Sequence, residues 1–121
     1  MNTQDLTNID KSLGLMGQFN KINKNTGTSI QKMRTEVIFT DGEFHAKVKV
    51  LGAVLWAVSA RCEPCIKFYV SKAKELGVNE TELGEFLAIA ATMGGCVGEM
   101  WALKAYQAFK ESSPNDENCC D

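Results

Sequence analysis

This 121-residue sequence has a small net charge, no long apolar run and a single histidine. Thirteen basic and 15 acidic side chains give a formal net charge of −2, so the basic surface that nucleic-acid binding needs is missing. The longest apolar run, Val50 to Ala60, is shorter than the roughly 20 residues that span a bilayer. Residues 1–11 are polar. We therefore expect no secretory signal, no nucleic-acid partner and no membrane partner.

The composition that remains is that of one globular domain, with 45% hydrophobic and 23% charged residues. It includes five cysteines, an odd number that fits poorly with a secreted disulfide scaffold. We therefore expect a cytoplasmic protein. In that reducing compartment the cysteines serve redox chemistry, bind a metal, or act as small buried hydrophobic residues.

The first half of the chain shows the apolar periodicity of helices. Apolar residues recur at three- and four-residue steps over 6–19, which predicts one amphipathic helix there. The cluster Asn25-Thr26-Gly27 ends it, and a second helix follows over 30–38. Residues 46–60 are almost entirely apolar after Lys49, and their length and alanine content favour a helix that is buried on most sides.

Local signals mark the helix boundaries in the second half. Pro64 suits the first turn of a helix and Gly77 suits its end. Asn79 with Glu82 three residues later predicts an N-terminal cap. The pair Gly94-Gly95 predicts a tight turn before a final helix that ends near residue 110.

The sequence thus predicts an all-α domain of five or six helices. We expect N-terminal helices in residues 1–40, a helical core in residues 41–110 and a flexible acidic tail in residues 111–121. Several helices are apolar on more than one face, and a domain of this size has little interior. The surplus, which includes Trp56 and Trp101, predicts burial between subunits and therefore a homo-oligomer.

One cysteine motif suggests a specific chemistry. Cys62 and Cys65 are spaced as C-x-x-C, with Pro64 between them, at the junction of two predicted helices. Free N–H groups at a helix start carry partial positive charge, so a thiolate there is stabilised and its pKa falls below the usual value of about 8.5. A second thiol one turn away can close a disulfide with it.

The spacing alone leaves metal ligation and the absence of any role open as alternatives. A structural zinc site takes four ligands, and Cys96 and His45 would complete one only through long-range folding. An iron–sulfur cluster would require Cys119 and Cys120 to fold back from the tail.

Beyond the motif, residues from about Asp41 to Phe109 resemble the carboxymuconolactone decarboxylase family, and within it the AhpD-like alkylhydroperoxidase branch of antioxidant enzymes. The resemblance rests on four segments in order: KVLGAVLWAVSA, RCEPCIKFYVSKAKELG, VNETELGEFLAIA and GGCVGEMWALKAYQAF. It implies an all-α fold that forms trimers or hexamers. It also implies that Cys62 and Cys65 cycle between dithiol and disulfide, exchanging electrons with peroxides, lipoyl groups or other proteins.

Two positions depart from the pattern of that branch. The histidine expected four residues after the second cysteine is Tyr69, and the glutamate expected twelve residues before the first cysteine is Val50. A phenol is a far weaker base than an imidazole at neutral pH, although it can donate a hydrogen bond to a thiolate. Valine cannot relay a proton, so we do not expect this chain to use the complete peroxidase mechanism of that branch.

The other candidate residues lie outside the motif, and we expect structural or solvent-exposed roles for them. We expect His45 to be solvated or capping, Cys96 to be a small buried residue, and Glu99 to be an exposed carboxylate, against catalytic roles for each. Cys119 and Cys120 either exchange electrons with the pair or are incidental cysteines of a loose tail.

The resulting hypothesis is a cytoplasmic thiol–disulfide oxidoreductase with Cys62, Cys65 and Tyr69 as catalytic residues. We expect no cofactor and no bound metal, and a thiol or disulfide electron donor or acceptor as partner. One alternative is an oligomeric protein that senses redox state or binds a metal or an iron–sulfur cluster. A weaker one is a lyase of the lactone decarboxylase type, because the histidine is missing.

Overall fold

The computed structural model describes residues 3–112, and within that range it contains helices and no strand. Six α-helices and one short 3-10 helix (Lys11–Leu15) follow one another along the chain. The α-helices are α1 (Thr3–Ile9), α2 (Met16–Ile22), α3 (Thr26–Val37), α4 (Ala46–Ala60), α5 (Glu63–Glu75) and α6 (Glu80–Glu111). The predicted all-α class is confirmed, while the tail from residue 113 onward lies outside the described residues.

The hydrophobic core is formed by α4, α5 and α6, which pack against one another. No polar or charged side chain is buried among the described residues. Burial of a large aliphatic side chain contributes roughly 1.5–3 kcal/mol, so these three helices hold the fold together. The core comprises Val50, Leu51, Val54, Ala57, Val58, Ile66, Val70, Ala73, Val78, Leu83, Leu87, Ala102, Ala105 and Phe109.

The boundaries of α5 and α6 follow from the signals in the sequence. Pro64 lies in the first turn of α5, and Gly77 has the left-handed φ of 92° that a chain reversal after a helix requires. Asn79 and Glu82 form a reciprocal capping box in which each side chain accepts a hydrogen bond from the other's backbone N–H. Lys74 then ties the end of α6 to α5 by donating to the carbonyls of Phe109 and Ser112.

The prediction of one continuous amphipathic helix over residues 6–19 is wrong. The chain there forms α1, the 3-10 helix and the start of α2. Asp10 causes the break because its backbone is extended and its carboxylate accepts hydrogen bonds from the N–H and hydroxyl of Ser12. Aspartate competes for backbone donors in this way and so starts a new turn instead of continuing a helix.

The predicted turn at Gly94-Gly95 is a kink within α6. Gly95 has φ 60° and ψ −143°, a backbone conformation open essentially to glycine alone, and helical residues continue on both sides of it. The two halves pack tightly, since a side chain at Gly98 would collide with the carbonyl of Ala90. The final helix therefore continues α6 at an angle, and it ends at Glu111.

Large apolar side chains remain exposed on the single chain. Trp56 is 67% exposed and Met93 is 82% exposed, whereas Trp101 is half-buried beside the core. Trp56 is therefore not part of the core of the single chain. By length and composition alone, α6 is also long and apolar enough to cross a membrane, although Gly95 kinks it.

Candidate active site

The Cys62–Cys65 pair lies where α4 ends and α5 begins. Arg61 terminates α4 in the left-handed conformation, and the N–H of Cys62 still bonds to the carbonyl of Ala57, 3.1 Å away. Cys62 is then the extended N-cap residue of α5, and Pro64 follows inside the first turn. This sharp reversal places both cysteines at the N-terminus of α5, as the sequence predicted.

The geometry of the pair supports reversible disulfide formation. The two Cα atoms are 5.3 Å apart and the two sulfurs form a disulfide. The backbone N–H of Cys65 donates to Sγ of Cys62 at 3.4 Å, which satisfies one of the free donors at the helix start. Both residues are half-buried, so neither is sealed in the core. A thiolate on Cys62 would accept a hydrogen bond from this same N–H.

The charges around the pair partly cancel. Glu63, which would oppose a thiolate, forms an ion pair with Lys67 at 3.5 Å. Arg61 is exposed and forms no ion pair with a described carboxylate. The net local charge from these three side chains is therefore positive, which favours a thiolate at the start of α5.

A cavity of about 140 Å³ opens beside Cys65. Its wall comes from α5 on one side and from the N-terminal helices on the other, and most of its surface is apolar. The lining residues are Leu6, Leu13, Met16, Gln31, Arg34, Pro64, Cys65, Phe68 and Tyr69. Cys65 is thus the member of the pair that lines this half-open cavity, which is large enough for a small ligand.

The sequence did not point to the N-terminal wall of this cavity. Arg34 is half-buried there, and its Nη1 atom donates to Oε1 of Gln31 at 3.3 Å. Arg34 lies four residues after Ile30, so the two share a face of α3, and this spacing indicates that Arg34 lies on the apolar side of the helix. Nothing in the sequence indicates that α3 would contribute to a cavity beside the cysteine pair.

Tyr69 lies one turn after Cys65 and lines the same cavity. Its ring stacks on Phe39 at 6.2 Å between centroids and meets Phe68 edge-on at 5.0 Å. Among the described residues, no hydrogen bond joins its hydroxyl to either sulfur. The structure places Tyr69 near the pair, and its catalytic role stays a prediction.

Val50, at the other departing position, is fully buried in the core of α4. It belongs to the contact surface between α4, α5 and α6. Its side chain offers no proton acceptor, so the glutamate of the alkylhydroperoxidase relay has no counterpart at this position.

The remaining candidates lie apart from the pair. His45 is exposed at the N-cap position of α4 without capping it, and its ring faces Asp41 at 3.6 Å. Asp41 caps α4 instead by accepting the N–H of Ala46, and that bond lowers the pKa of its carboxyl. Glu99 is exposed, as expected.

The expectation for Cys96 is wrong, since it is an exposed free thiol on the single chain. It follows the kink at Gly95 within α6, where residues 92–97 are all exposed, so there is no packed turn to bury it. Cys119 and Cys120 lie outside the described residues. Within residues 3–112, no three His, Cys, Asp or Glu side chains cluster closely enough to hold a metal ion.

Comparison with known proteins agrees with the fold. The sequence model of the carboxymuconolactone decarboxylase family matches residues 26–108. An uncharacterised protein of Cupriavidus necator is 36% identical over 104 residues, which are 86% of this chain and 88% of that protein.

A solved structure extends the similarity to three dimensions. It is the crystal structure of the apo form of a carboxymuconolactone decarboxylase family protein from Legionella pneumophila. The two share 30% identity with a TM-score of 0.80, over 91% of this chain and 98% of that one. The resemblance noted in the sequence is confirmed, and the chain belongs to the carboxymuconolactone decarboxylase family.

Proposed function

We propose that this protein is a thiol–disulfide oxidoreductase that uses Cys62 and Cys65 as its redox couple. The observation that carries the proposal is the N–H of Cys65 donated to Sγ of Cys62, at a helix N-terminus and within disulfide reach. That arrangement stabilises a thiolate without any histidine. Half-burial of both residues leaves the sulfurs accessible to a partner.

The reaction transfers two electrons in two exchange steps. The Cys65 thiolate attacks one sulfur of a substrate disulfide, forms a mixed disulfide and releases the first substrate thiolate, which takes a proton from water. The Cys62 thiolate then attacks Sγ of Cys65 and releases the second substrate thiolate. The protein is oxidised to the Cys62–Cys65 disulfide, the substrate is reduced to two thiols, and an external dithiol resets the enzyme.

We assign the attack on the substrate to Cys65 because this residue lines the cavity. We assign the second attack, which closes the Cys62–Cys65 disulfide, to Cys62 because its Sγ accepts the backbone N–H of Cys65. The test uses chains in which Cys96, Cys119 and Cys120 are serine, so that only the pair reacts. Cys62→Ser and Cys65→Ser are each expected to lower turnover of a reporter disulfide, such as dithiobis-nitrobenzoate with a dithiol reductant, at least a hundredfold.

The two variants differ in what they trap. Cys62→Ser is expected to accumulate a mixed disulfide on Cys65, seen as a mass increase of one substrate half by mass spectrometry. Cys65→Ser is expected to accumulate little. Trapping on Cys62 instead would reverse the assignment of roles, and full turnover in both variants would refute the function.

Tyr69 is proposed as a hydrogen-bond donor to the thiolate or to the leaving sulfur. Tyr69→Phe removes only the hydroxyl and keeps the ring that packs on Phe39 and Phe68. We expect kcat to fall about tenfold or more with unchanged thermal stability, because a hydrogen bond to a charged sulfur contributes roughly 1.5–3 kcal/mol. An unchanged kcat would assign Tyr69 to packing alone.

The proposal separates disulfide exchange from peroxide cleavage. Assistance by a general base contributes about 10²–10⁴-fold, and with Val50 in the core the second member of a relay is missing. Disulfide exchange needs less help, because its leaving group is a thiolate. We therefore expect weak activity on organic hydroperoxides beside substantial activity on disulfides, in the cytoplasm where thiols stay reduced.

We also propose that the chain works as a homo-oligomer, a trimer or hexamer. Apolar side chains near the kink of α6, among them Ile89, Met93 and Val97, are exposed and line a second cavity of about 340 Å³ beside α4. Uncovered apolar surface of this kind favours association. Sedimentation should give a multiple of 13.3 kDa that falls in Met93→Glu, and a wild-type monomer would contradict it.

A further inference from the structure

The cavity beside Cys65 has the dimensions of a binding site for one small ring. Its volume of about 140 Å³ is close to the roughly 150 Å³ of engineered apolar cavities that admit benzene. Leu13, Met16 and Phe68 give it apolar walls. Cys65 is among the residues that line this space, so a group held there would lie beside the cysteine pair.

The cavity also contains a cation that pairs with none of the described carboxylates. Arg34 is half-buried on its wall, and its hydrogen bond among the described side chains goes to the neutral amide of Gln31. None of the ion pairs between side chains of residues 6–112 includes Arg34, although Lys47, Lys67, Lys72 and Lys110 each have a carboxylate. A guanidinium presents a planar fork of donors that matches a carboxylate, and such a bond is stronger than a neutral one.

We propose that this cavity binds the substrate, and that the substrate is a small disulfide whose apolar or aromatic body carries a carboxylate held by Arg34. The inference rests on the proposed function and names the substrate class for the same site. The ring occupies the space between Leu13 and Phe68, and the carboxylate is held by Arg34. One substrate sulfur lies at Cys65, where the exchange described above takes place.

The experiment compares two matched probes, dithiobis-benzoate and the uncharged dithiobis-benzamide, with a dithiol as reductant. In Arg34→Gln, kcat/KM for the benzoate is expected to fall about tenfold relative to kcat/KM for the benzamide, mainly through KM. Dividing by the benzamide value cancels the different intrinsic reactivities of the probes. Arg34→Lys keeps the charge but not the fork, so it should recover part of the ratio.

A second cation on the same helix provides the control. Lys32 is exposed and does not line the cavity, so Lys32→Gln changes the net charge equally and should leave the ratio within twofold of wild type. Leu13→Phe tests the apolar part of the site. By filling the cavity it should raise KM for both aromatic probes together.

The outcomes distinguish the inference from the function beneath it. If the wild type turns over both probes but Arg34→Gln leaves their ratio unchanged, the substrate class is wrong and the oxidoreductase stands. If the wild type turns over neither probe nor any other disulfide, the proposed function fails first.

Discussion

The N-terminal helices α1 to α3 and the bundle α4 to α6 differ in what they bury. No residue of the 3-10 helix, α2 or α3 is buried, whereas every buried residue among the described ones lies between Ala46 and Phe109. Yet the N-terminal helices supply Leu13, Met16 and Arg34 to the wall beside Cys65. The bundle therefore provides stability and the cysteines, and the N-terminal helices provide the surroundings of one sulfur.

This division separates changes that unfold the protein from changes that alter its chemistry. The bundle contains no buried polar group within the described residues, so polar substitutions there carry the full cost of desolvation. The N-terminal helices are half-exposed and already contain polar side chains such as Gln31 and Arg34 in the cavity. They can change in sequence at little cost in stability.

The largest effect is expected from restoring the missing glutamate of the alkylhydroperoxidase relay. Val50→Glu places a carboxylate at a fully buried position without a partner, so the free energy of unfolding should fall by about 4 kcal/mol or more. Urea unfolding measures this. Val48→Glu, on the exposed face of the same helix, should change it by about 0.5 kcal/mol at most. A stable Val50→Glu would show that the core is open to polar groups.

A pair of leucines compares the two regions directly. Leu83→Ala removes a fully buried side chain from the bundle and should cost about 2–5 kcal/mol. Leu13→Ala, in the half-exposed N-terminal wall, should cost less than about 1 kcal/mol while raising KM for aromatic disulfides. Thermal unfolding of both variants measures the loss of stability, and steady-state kinetics measure KM. Equal destabilisation would mean that the N-terminal helices belong to the core.

A smaller loss is expected at the start of α6. Asn79→Ala removes the side chain that accepts the N–H of Glu82, and the helix should lose about 1 kcal/mol. Asn79→Asp keeps the acceptor and should be close to neutral. If alanine and aspartate behave alike, the cap contributes nothing to stability.

The smallest effect is a dependence of stability on pH. The backbone N–H of Asn79, and then Lys47, hold the pKa of Glu82 below its ordinary value of 4.5. The unfolded state therefore binds its proton first as pH falls. The contribution of this carboxylate is complete above pH 4.5 and is lost below it, as pH falls toward the lowered pKa. Glu82→Gln should flatten the fall in melting temperature over this acid range, and an unchanged slope would contradict the pairing.

Features encoded over a few residues could be predicted from the sequence. Pro64, Asn79 and Glu82 act within one helical turn, so the starts of α5 and α6 and the position of the cysteine pair followed from local chemistry. The packing of α1 on α5, and the place of α3 in the cavity wall, depend on contacts between distant segments. The sequence therefore does not identify Arg34 as a site residue, although Arg34 lies on the apolar stripe of its helix.

Two errors have the same origin in competing local interactions. In the sequence, Asp10 is one polar position within a helical pattern, but the hydrogen bonds that its carboxylate accepts from Ser12 end α1. Gly95 reads as a turn, but neighbouring residues on both sides are helical and only the glycine departs from that geometry, which leaves Cys96 exposed. Periodicity reports which face is apolar, and it does not report where hydrogen bonding interrupts the helix.

The most direct test of the redox couple is an equilibrium titration of the chain in buffers of reduced and oxidised dithiol, with alkylation of free thiols and mass spectrometry of the Cys62–Cys65 peptide. A redox couple predicts that both thiols disappear together in one reversible two-electron transition, independent of Cys96→Ser. Labelling of one cysteine without the other, or a pair that ignores the buffer potential, would contradict it.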